Sequence, residues 1–399
     1  MTSGDLSTVR LRRMHQVMAG YVERGTLPGV VTLVSRRGEV QVDAIGLKAA
    51  GRSDPMRRDT IFRIASMTKP ITAAAAMILV EECKLRLDEP VDGLLPELAD
   101  RRVLKRIDGP LDDTVPAKRP ITLRDLLTFR LGIGAVIAPR GQYPIQQAMA
   151  EAGLDPGPDP SPHGPSEWMK QLSNLPLIHQ PGEGWLYHTG SDILGVLIAR
   201  AADQTLEDFF RERVFGPLGM GDTGFHVPDE KRDRLPASYV ADAQTGLLAL
   251  DDDPAQSRWG VPPAFPSGGG GLVSTVDDYL AFCQMMLNKG RYGGERILSR
   301  PSVELMTIDH ITPAQKARAR EFFGDSTGWG FGLAVATRRE NLADLPGRFG
   351  WDGGMGTSAY SDPTEDMVGI LMTQRAMTSP QHPQIFRDFW TLAYQAIDD

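Results

Sequence analysis

Hydrophobic residues follow two different periods in the first part of the chain, and each period predicts a different element. Near the start, apolar side chains recur at the three- and four-residue spacing of an amphipathic helix, namely Val9, Leu11, Met14, Val17, Met18 and Tyr21. Residues 29–46 then predict two strands around a tight Arg-Gly turn. An alanine-rich run favours a long helix after Ser66, and Pro70 is tolerated because it lies within the first turn.

The pattern changes over residues 86–224. Short helical segments such as ITLRDLLTF and LEDFFRERVF alternate with proline-rich connectors. The run DPGPDPSPHGP, residues 155–165, is typical of a surface loop because proline and glycine interrupt both helices and strands. This part of the chain therefore predicts a mostly helical region.

The strand pattern returns from about residue 225. A helix is expected within SGGGGLVSTVDDYLAFCQMMLNKG, with Thr275 or Ser274 as its cap. Asp277 and Asp278 then lie at the positive end of that helix, which favours acidic residues. Three later segments are typical of antiparallel strands, and a final helix is expected after them; the segments are WGFGLAVAT, GTSAYSDP, DMVGILMTQ and, for the helix, QIFRDFWTLAYQAI.

Strands near both ends of the chain, with helices between them, predict an α/β (α+β) fold. We expect one α/β domain built from residues 1–85 and 225–399, whose strands form a single sheet. A mostly helical domain, residues 86–224, would be inserted into it.

The charge balance argues against several classes of partner. A net charge of −8 over 399 residues disfavours binding to nucleic acid or to an anionic membrane. The N-terminal segment lacks the apolar core of a signal peptide, and no apolar run is long enough to span a bilayer. We therefore expect a cytoplasmic protein without a membrane or nucleic-acid partner, while its oligomeric state stays open.

Cysteine and histidine show no metal-binding pattern. Cys83 and Cys283 lie in separate apolar helical stretches and are predicted to be buried, reduced thiols. The seven histidines show neither H-x-x-x-H nor H-x-H spacing. Residues 268–271, GGGG, lack the Lys-Ser/Thr pair of a phosphate-binding loop and favour a close-packed turn. No metal and no cofactor are predicted.

Ser66 and Lys69 form the first candidate for catalysis. Side chains three residues apart share a helix face, so the lysine could contact the serine hydroxyl. Apolar surroundings would lower the lysine pKa and let a neutral amine accept the serine proton. The S-x-x-K pattern alone also fits a helix-capping serine and a solvated lysine.

Two further segments support the catalytic interpretation. The segment GWLYHTGSDILG places Tyr187 just before an apolar helix, and RFGWDGGMGTSAYSDP places a Trp-Asp-Gly-Gly turn against a strand. With these three motifs in this order, the chain resembles the serine β-lactamase-like superfamily with its penicillin-binding relatives. It is most similar to the family VIII carboxylesterases, which resemble class C β-lactamases. The similarity extends through DTIFRIASMTKPITAAAAMILVEE, ITLRDLLTFRLGI, PLGMGDTGF and GGGGLVSTVDDYLAFCQMMLN.

The resemblance implies a β-lactamase/transpeptidase-like fold and a set of catalytic roles. Ser66 would be the nucleophile that accepts the acyl group, with Lys69 as its base. Tyr187 would move a proton between the serine and the leaving group. The backbone N–H groups of Ser66 and Gly354 would form the oxyanion hole.

The third motif departs from the β-lactamase pattern. Trp351, Asp352 and Gly353 occupy the place of Lys-Thr-Gly, so a carboxylate-bearing β-lactam loses a cationic anchor while a neutral ester does not. Asp352 could narrow the acyl pocket or repel anionic substrates. Thr189 stands where the second motif often has Asn, which removes an amide that could hold an acylamide side chain.

His188 and Tyr143 are two further candidates for the site. His188 could tune proton transfer by Tyr187, although an incidental hydrogen-bonded histidine is the favoured interpretation. Tyr143 is the aromatic residue most expected to line the acyl pocket. The GDSTG run at 324–328 matches a nucleophile elbow, but a charged helical segment precedes it where an elbow needs a strand.

Together the motifs and departures predict a serine hydrolase that cleaves small carboxylic esters through an acyl-enzyme on Ser66. Amide hydrolysis, acyl transfer and weak β-lactamase or D,D-peptidase-like activity would use the same site and stay open. A non-catalytic binder with this fold is disfavoured because Ser66, Lys69 and Tyr187 are present together.

Overall fold

The computed structural model describes residues 6–157, 159–242 and 244–399. Its strands are β1 (Gly29–Arg36), β2 (Glu39–Gly46), β3 (Phe62–Arg63), β4 (Arg102–Leu104), β5 (Thr114–Pro116), β6 (Ser238–Ala241), β7 (Leu248–Asp252), β8 (Val273–Ser274), β9 (Arg291–Tyr292), β10 (Glu295–Arg296), β11 (Thr327–Trp329), β12 (Ala334–Ala336), β13 (Phe349–Gly353), β14 (Thr357–Asp362) and β15 (Met367–Thr373). Its α-helices are α1 (Thr8–Glu23), α2 (Thr68–Glu81), α3 (Leu123–Leu127), α4 (Pro144–Glu151), α5 (Pro165–Ser173), α6 (Thr189–Ala202), α7 (Leu206–Phe210), α8 (Gly216–Leu218), α9 (Val276–Leu287), α10 (Arg300–Met306), α11 (Pro313–Arg318), α12 (Arg320–Phe323) and α13 (Gln384–Gln395).

A seven-stranded antiparallel sheet, the main sheet, joins the two ends of the chain. Its spatial order is β11-β12-β13-β14-β15-β1-β2. β1 and β15 pair from Val30 opposite Thr373 to Arg36 opposite Met367. The structure confirms the predicted sheet built from both terminal parts and, with it, the β-lactamase/transpeptidase-like fold class.

Helices cover both faces of the main sheet. Successive residues of β1 belong alternately to two apolar clusters, as the two-residue period of a strand requires. Val30 and Val34 pack with α1 and α13, whereas Val31 and Leu33 face the cluster that includes α9. Every residue of β1 is therefore buried. None of the described helices combines the length and apolarity needed to cross a bilayer.

The region between the two terminal parts packs its helices directly on α2. Residues 86–224 contain α3 to α8 and the β4–β5 pair. α6 contacts both α2 and α3, and Ile71, Leu126 and Leu197 from these three helices share one apolar cluster. This packing sets the start of α6 beside the start of α2. The domain boundaries at 85/86 and 224/225 stay a prediction.

Several local predictions agree with the structure, and two need correction. The side chain of Thr275 accepts a hydrogen bond from the backbone N–H of Asp278 and caps α9. The strands after residue 225 are at first short and lie outside the main sheet, which resumes only at β11. Trp351 does not begin a turn, because β13 continues through Gly353 and the turn starts at Gly354.

The two cysteines differ in exposure. Cys283 is buried as predicted, but Cys83 is exposed. α2 ends at Glu81, and Cys83 lies beyond it in a left-handed conformation with φ of 58°. The apolar pattern of the sequence continues past the residue at which the helix ends, and that is why the prediction for Cys83 is wrong.

Gly353 brings β13 against the turn that carries Ser66. A Cβ at this position would overlap the carbonyl oxygen of Ile64 and Oγ1 of Thr357. Thr357 also donates a hydrogen bond of 3.3 Å to the same Ile64 carbonyl. Only glycine therefore allows the strand to approach the Ser66 turn this closely.

Gly353→Ala is expected to lower the free energy of unfolding by about 1–3 kcal/mol, because the added methyl group must displace backbone atoms. Thermal unfolding followed by circular dichroism measures the change. Gly354→Ala is the matched control for stability, since a Cβ at Gly354 meets no atom within 4 Å. Equal melting temperatures for the two variants would contradict the close approach.

Candidate active site

Ser66 lies on a short 3₁₀ turn that leads into α2. The turn, Ala65–Met67, follows β3 and precedes Thr68, so Ser66 comes just before the α-helix rather than within it. Ala65 has φ of 42°, a left-handed conformation that is costly for a residue with a Cβ. Ser66 is partly exposed while both neighbours are buried. The turn thus presents the hydroxyl at the edge of an otherwise closed core.

Lys69 is fully buried beneath Ser66. Its Nζ lies 3.0 Å from Ser66 Oγ and 3.1 Å from His188 Nδ1. It also donates a hydrogen bond to the carbonyl oxygen of Gly269 and lies 4.6 Å from the centre of the Tyr187 ring. Burial lowers the pKa of Lys69 to about 7, against an opposing effect of Asp192. A substantial fraction of this amine is therefore uncharged at neutral pH.

Tyr187 is held beside the pair by aromatic packing and one hydrogen bond. Trp351 Nε1 donates to the Tyr187 hydroxyl oxygen at 2.6 Å. Burial raises the pKa of Tyr187 well above its usual value, although hydrogen bonds with Ser66 and Trp351 act in the opposite direction. The phenol is therefore protonated at neutral pH. The rings packed around it are Phe129, Trp185, Phe322, Trp329 and Trp351.

His188 and Asp192 complete a buried polar network around Lys69. His188 Nε2 lies 3.1 Å from Asp192 Oδ2. Asp192 Oδ1 accepts from Ser267 Oγ at 2.6 Å and from the backbone N–H of Gly269 at 3.0 Å. The interpretation of His188 as incidental misses its contact with Lys69. The four-residue spacing of His188 and Asp192 at the start of a helix is the sequence signal that could have indicated their pairing.

Ser66 and Gly354, whose backbone N–H groups are the predicted oxyanion donors, line one cavity. The N–H of Ser66 lies in the first turn of a 3₁₀ helix, where such groups have no acceptor within the helix. Gly354 is the second residue of a turn closed by the bond from the Gly356 N–H to the Gly353 carbonyl, so that bond does not use its N–H. Both groups could serve an oxyanion.

A cavity of about 390 Å³, the Ser66 cavity, opens over these groups. It holds Ser66, Tyr187, Trp351, Asp352 and Gly354 from the predicted site. The rest of its wall is mostly apolar, with Ala135, Ile137, Pro156, Phe322, Met377 and Pro380 among its residues. Such a volume suits a small molecule with an apolar acyl group.

Asp352 does not present a free negative charge to this cavity. Its carboxylate accepts hydrogen bonds from Tyr360 Oη at 3.0 Å and from Ser358, and lies 2.7 Å from His382 Nε2. Burial alone would raise the pKa of Asp352, but His382 and the hydrogen bonds hold it below its usual range. Asp352 in turn raises the pKa of His382. Asp352 and His382 offset each other's charge. The expected repulsion of anionic substrates by Asp352 is therefore weaker.

Three predicted substrate-binding residues lie away from the cavity wall. Tyr143 caps the start of α4 and packs against the core, and Thr189 is buried in the first turn of α6. Gly353 faces the Ile64 carbonyl instead of the cavity. The structure does not place Tyr143 and Thr189 on the wall of this cavity, and their substrate-binding role stays a prediction.

The GDSTG run does not form a nucleophile elbow. Ser326 is buried and lies between α12 and β11, with no strand before it. The GGGG run is a close-packed turn, as predicted, in which a Cβ on Gly268 would overlap the Ser191 carbonyl oxygen. The sequence did not indicate that this turn also supplies Lys69 with an acceptor, the carbonyl of Gly269.

Several known proteins are similar to this chain over most of its length. Protein Rv1367c of Mycobacterium tuberculosis strain H37Rv is 40% identical over 362 residues, covering 88% of this chain and 87% of that protein. Esterase EstB of Burkholderia gladioli is 30% identical over 393 residues, covering 93% and 92%. The solved structure of EstCE1, described as a hydrolase with promiscuous acyltransferase activity, matches with a TM-score of 0.81 at 25% identity, covering 96% and 98%.

The family model named Beta-lactamase matches residues 14–387, which is nearly the whole chain. Its extent, together with the esterase relative and the structural match, assigns both family and fold. The chain belongs to the β-lactamase family, as a serine hydrolase of the β-lactamase fold with esterase and acyltransferase relatives.

Proposed function

We propose that the protein is a carboxylesterase that cleaves small, neutral esters through an acyl-enzyme on Ser66. The observation that carries the proposal is the buried Lys69 amine, 3.0 Å from Ser66 Oγ and with a pKa of about 7. A serine hydroxyl is a weak nucleophile until a nearby base takes its proton, and this amine meets that need without a metal or cofactor. The EstB relative, an esterase by name, supports the same activity.

In the proposed reaction, each predicted catalytic residue moves a proton or stabilises a charge. Neutral Lys69 takes the proton of Ser66 as Oγ attacks the ester carbonyl. The N–H groups of Ser66 and Gly354 hold the oxygen that becomes negative. Tyr187 gives its proton to the departing alkoxide and regains one from Lys69, so the acyl-enzyme forms with both groups neutral. A water molecule then releases the acid by the reverse series of proton transfers.

The Ser66 cavity favours neutral substrates. No lysine or arginine lines it among the residues that the structure describes, and its one histidine, His382, is paired with Asp352. The carboxylate of a β-lactam would find no free cation there. Trp351, at the position where β-lactamases have lysine, instead donates its N–H to Tyr187. These features support ester hydrolysis over β-lactam hydrolysis.

Acyl transfer is the second candidate. The acyl-enzyme carbonyl is open to any hydroxyl or amine that enters the cavity, so transfer and hydrolysis share their first step. The name of the EstCE1 structure, which joins hydrolase and acyltransferase activity, favours this candidate. Amide hydrolysis and weak β-lactamase activity would start from the same nucleophile.

Ser66→Ala is expected to lower turnover of p-nitrophenyl butyrate by more than about 10³-fold, because it removes the hydroxyl that Lys69 contacts and is proposed to activate. Release of p-nitrophenol measures the rate. Ser326→Ala is the matched control, since it removes the serine of the GDSTG run and should leave turnover unchanged. Turnover retained in Ser66→Ala, or failure of a fluorophosphonate to label Ser66, would revive the non-catalytic alternative.

The acid limb of the kcat/KM profile is expected near pH 7. Burial depresses the pKa of Lys69 from 10.5 to about 7, so the amine is protonated below that pH and cannot accept the serine proton. Activity should therefore fall about tenfold per pH unit on the acid side and reach a plateau above the limb. A limb near pH 10 would show that Lys69 keeps an ordinary pKa and would contradict the proposal that it is a largely neutral base at pH 7.

Adding a short primary alcohol to the ester assay tests acyl transfer. We expect a new ester to form in proportion to the alcohol concentration, alongside the acid, because both acceptors attack the same acyl-enzyme. Chromatography of the products measures the ratio. Both products should disappear in Ser66→Ala, and transfer that persists in that variant would contradict a shared intermediate.

A further inference from the structure

If Lys69 is the base for Ser66, as the proposed function has it, the lone pair of its amine must point at the serine hydroxyl. Nζ has three hydrogen-bonding neighbours, namely Ser66 Oγ, His188 Nδ1 and the Gly269 carbonyl oxygen. An amine nitrogen bound to one carbon has three remaining tetrahedral positions. In the neutral amine, two positions carry hydrogens and the third carries the lone pair.

The hydrogen-bonding capacity of His188 depends on Asp192. Burial and the charge of Lys69 lower the pKa of His188, so the imidazole is neutral and carries one N–H. Asp192 is an ionised acceptor, because its pKa is held below the usual range by His188, Ser267 and Lys69 despite burial. Nε2 lies 3.1 Å from that carboxylate and must carry the hydrogen. Nδ1 is then an acceptor directed at Lys69.

We propose that the Asp192–His188 pair is a positioning device that aims the Lys69 lone pair at Ser66. The Gly269 carbonyl can only accept, and His188 Nδ1 is made to accept, so the two hydrogens of the neutral amine are directed to them. The one position left for the lone pair faces Ser66 Oγ. After the proton moves, Lys69 is an ammonium group whose third N–H points back at the same oxygen. His188 and Asp192 act through the Lys69 amine.

The backbone at His188 supports a functional origin for this contact. His188 has φ of 79° and ψ of −67°, and the Thr189 N–H donates to the Tyr187 carbonyl at 3.1 Å across it. This is a γ-turn of the strained form, which few residues adopt. The turn lets two consecutive side chains, Tyr187 and His188, both contact Lys69. Backbone strain of this kind persists only where the surrounding structure enforces it, and it is found mostly at functional sites.

The test begins with Asp192→Asn, which keeps the shape of the side chain. The Ser267 hydroxyl and the Gly269 N–H would hold the amide oxygen, and the NH₂ group would face His188 Nε2. Nε2 must then accept, which moves the imidazole hydrogen to Nδ1 and toward the Lys69 lone pair. We expect the rate of Ser66 labelling by a fluorophosphonate to fall by about tenfold or more.

The pH profile of labelling separates a positioning role from a structural one. The ionisable groups that face Lys69 and Tyr187 are His188, Asp192 and, through Tyr187, Asp352. Asp192 raises the pKa of Lys69. Asp192→Asn should therefore move the acid limb of the labelling rate to lower pH, and the plateau rate should also fall. A lower plateau with the limb unmoved would show only structural damage and would overturn the proposal.

His188→Asn and His188→Leu provide the second comparison, which needs no change at Asp192. Asparagine can present its oxygen where Nδ1 lies and tolerates positive φ, whereas leucine has no acceptor. We expect His188→Asn to label at least tenfold faster than His188→Leu when both melt at similar temperatures. Equal rates would overturn the proposal.

A double-mutant cycle completes the test. His188→Asn has no imidazole whose hydrogen could move, so adding Asp192→Asn in that background should cost less than about threefold. The same loss in both backgrounds would contradict control through the imidazole. Failure of the proposed function is distinguishable, because it would appear as wild-type protein whose Ser66 is labelled but which turns over no ester.

Discussion

The desolvation of a single amine is the constraint on which the rest of the site depends. Lys69 has no exposed surface, and its charge is disfavoured because it has lost its contact with water. α2 is buried along almost its whole length to achieve this, and it packs against α6. The acceptors around Nζ come from distant segments, His188 before α6 and Gly269 in the glycine turn. Burial sets the basicity of the Lys69 amine, and these acceptors set the direction in which its lone pair points.

The third motif, with Trp351 and Asp352 in place of the β-lactamase residues, changes both the charge and the hydrogen bonding of the cavity wall. Trp351 brings no charge into the cavity, yet its N–H contacts the phenol of Tyr187 and its ring packs against that residue. The charge of the following residue, Asp352, is offset by His382, which comes from a later segment of the chain. The cavity wall therefore becomes apolar without leaving a buried charge unpaired. Such a site selects its substrates by their shape and polarity more than by their charge.

Local patterns were sufficient for much of the fold but not for the polar network. The periodicity of β1 and β2, the cap of α9 at Thr275 and the contact between Ser66 and Lys69 all follow from spacing along the chain. The exposure of Cys83 and the inward position of Tyr143 depend on where helices end or begin, which periodicity locates poorly. The roles of His188, Asp192 and Gly269 depend on packing between segments far apart in sequence, which no local pattern contains.

The pairing of β1 with β15 has a consequence for the order of events during synthesis. These two strands are separated by more than three hundred residues and yet are neighbours in the main sheet. A nascent chain cannot complete the sheet until its last strand has left the ribosome, and contacts of such long range form slowly. Until then the apolar faces of β1 and α2 are without their final cover. This topology therefore leaves the growing chain prone to aggregation until its C-terminal strands have been made.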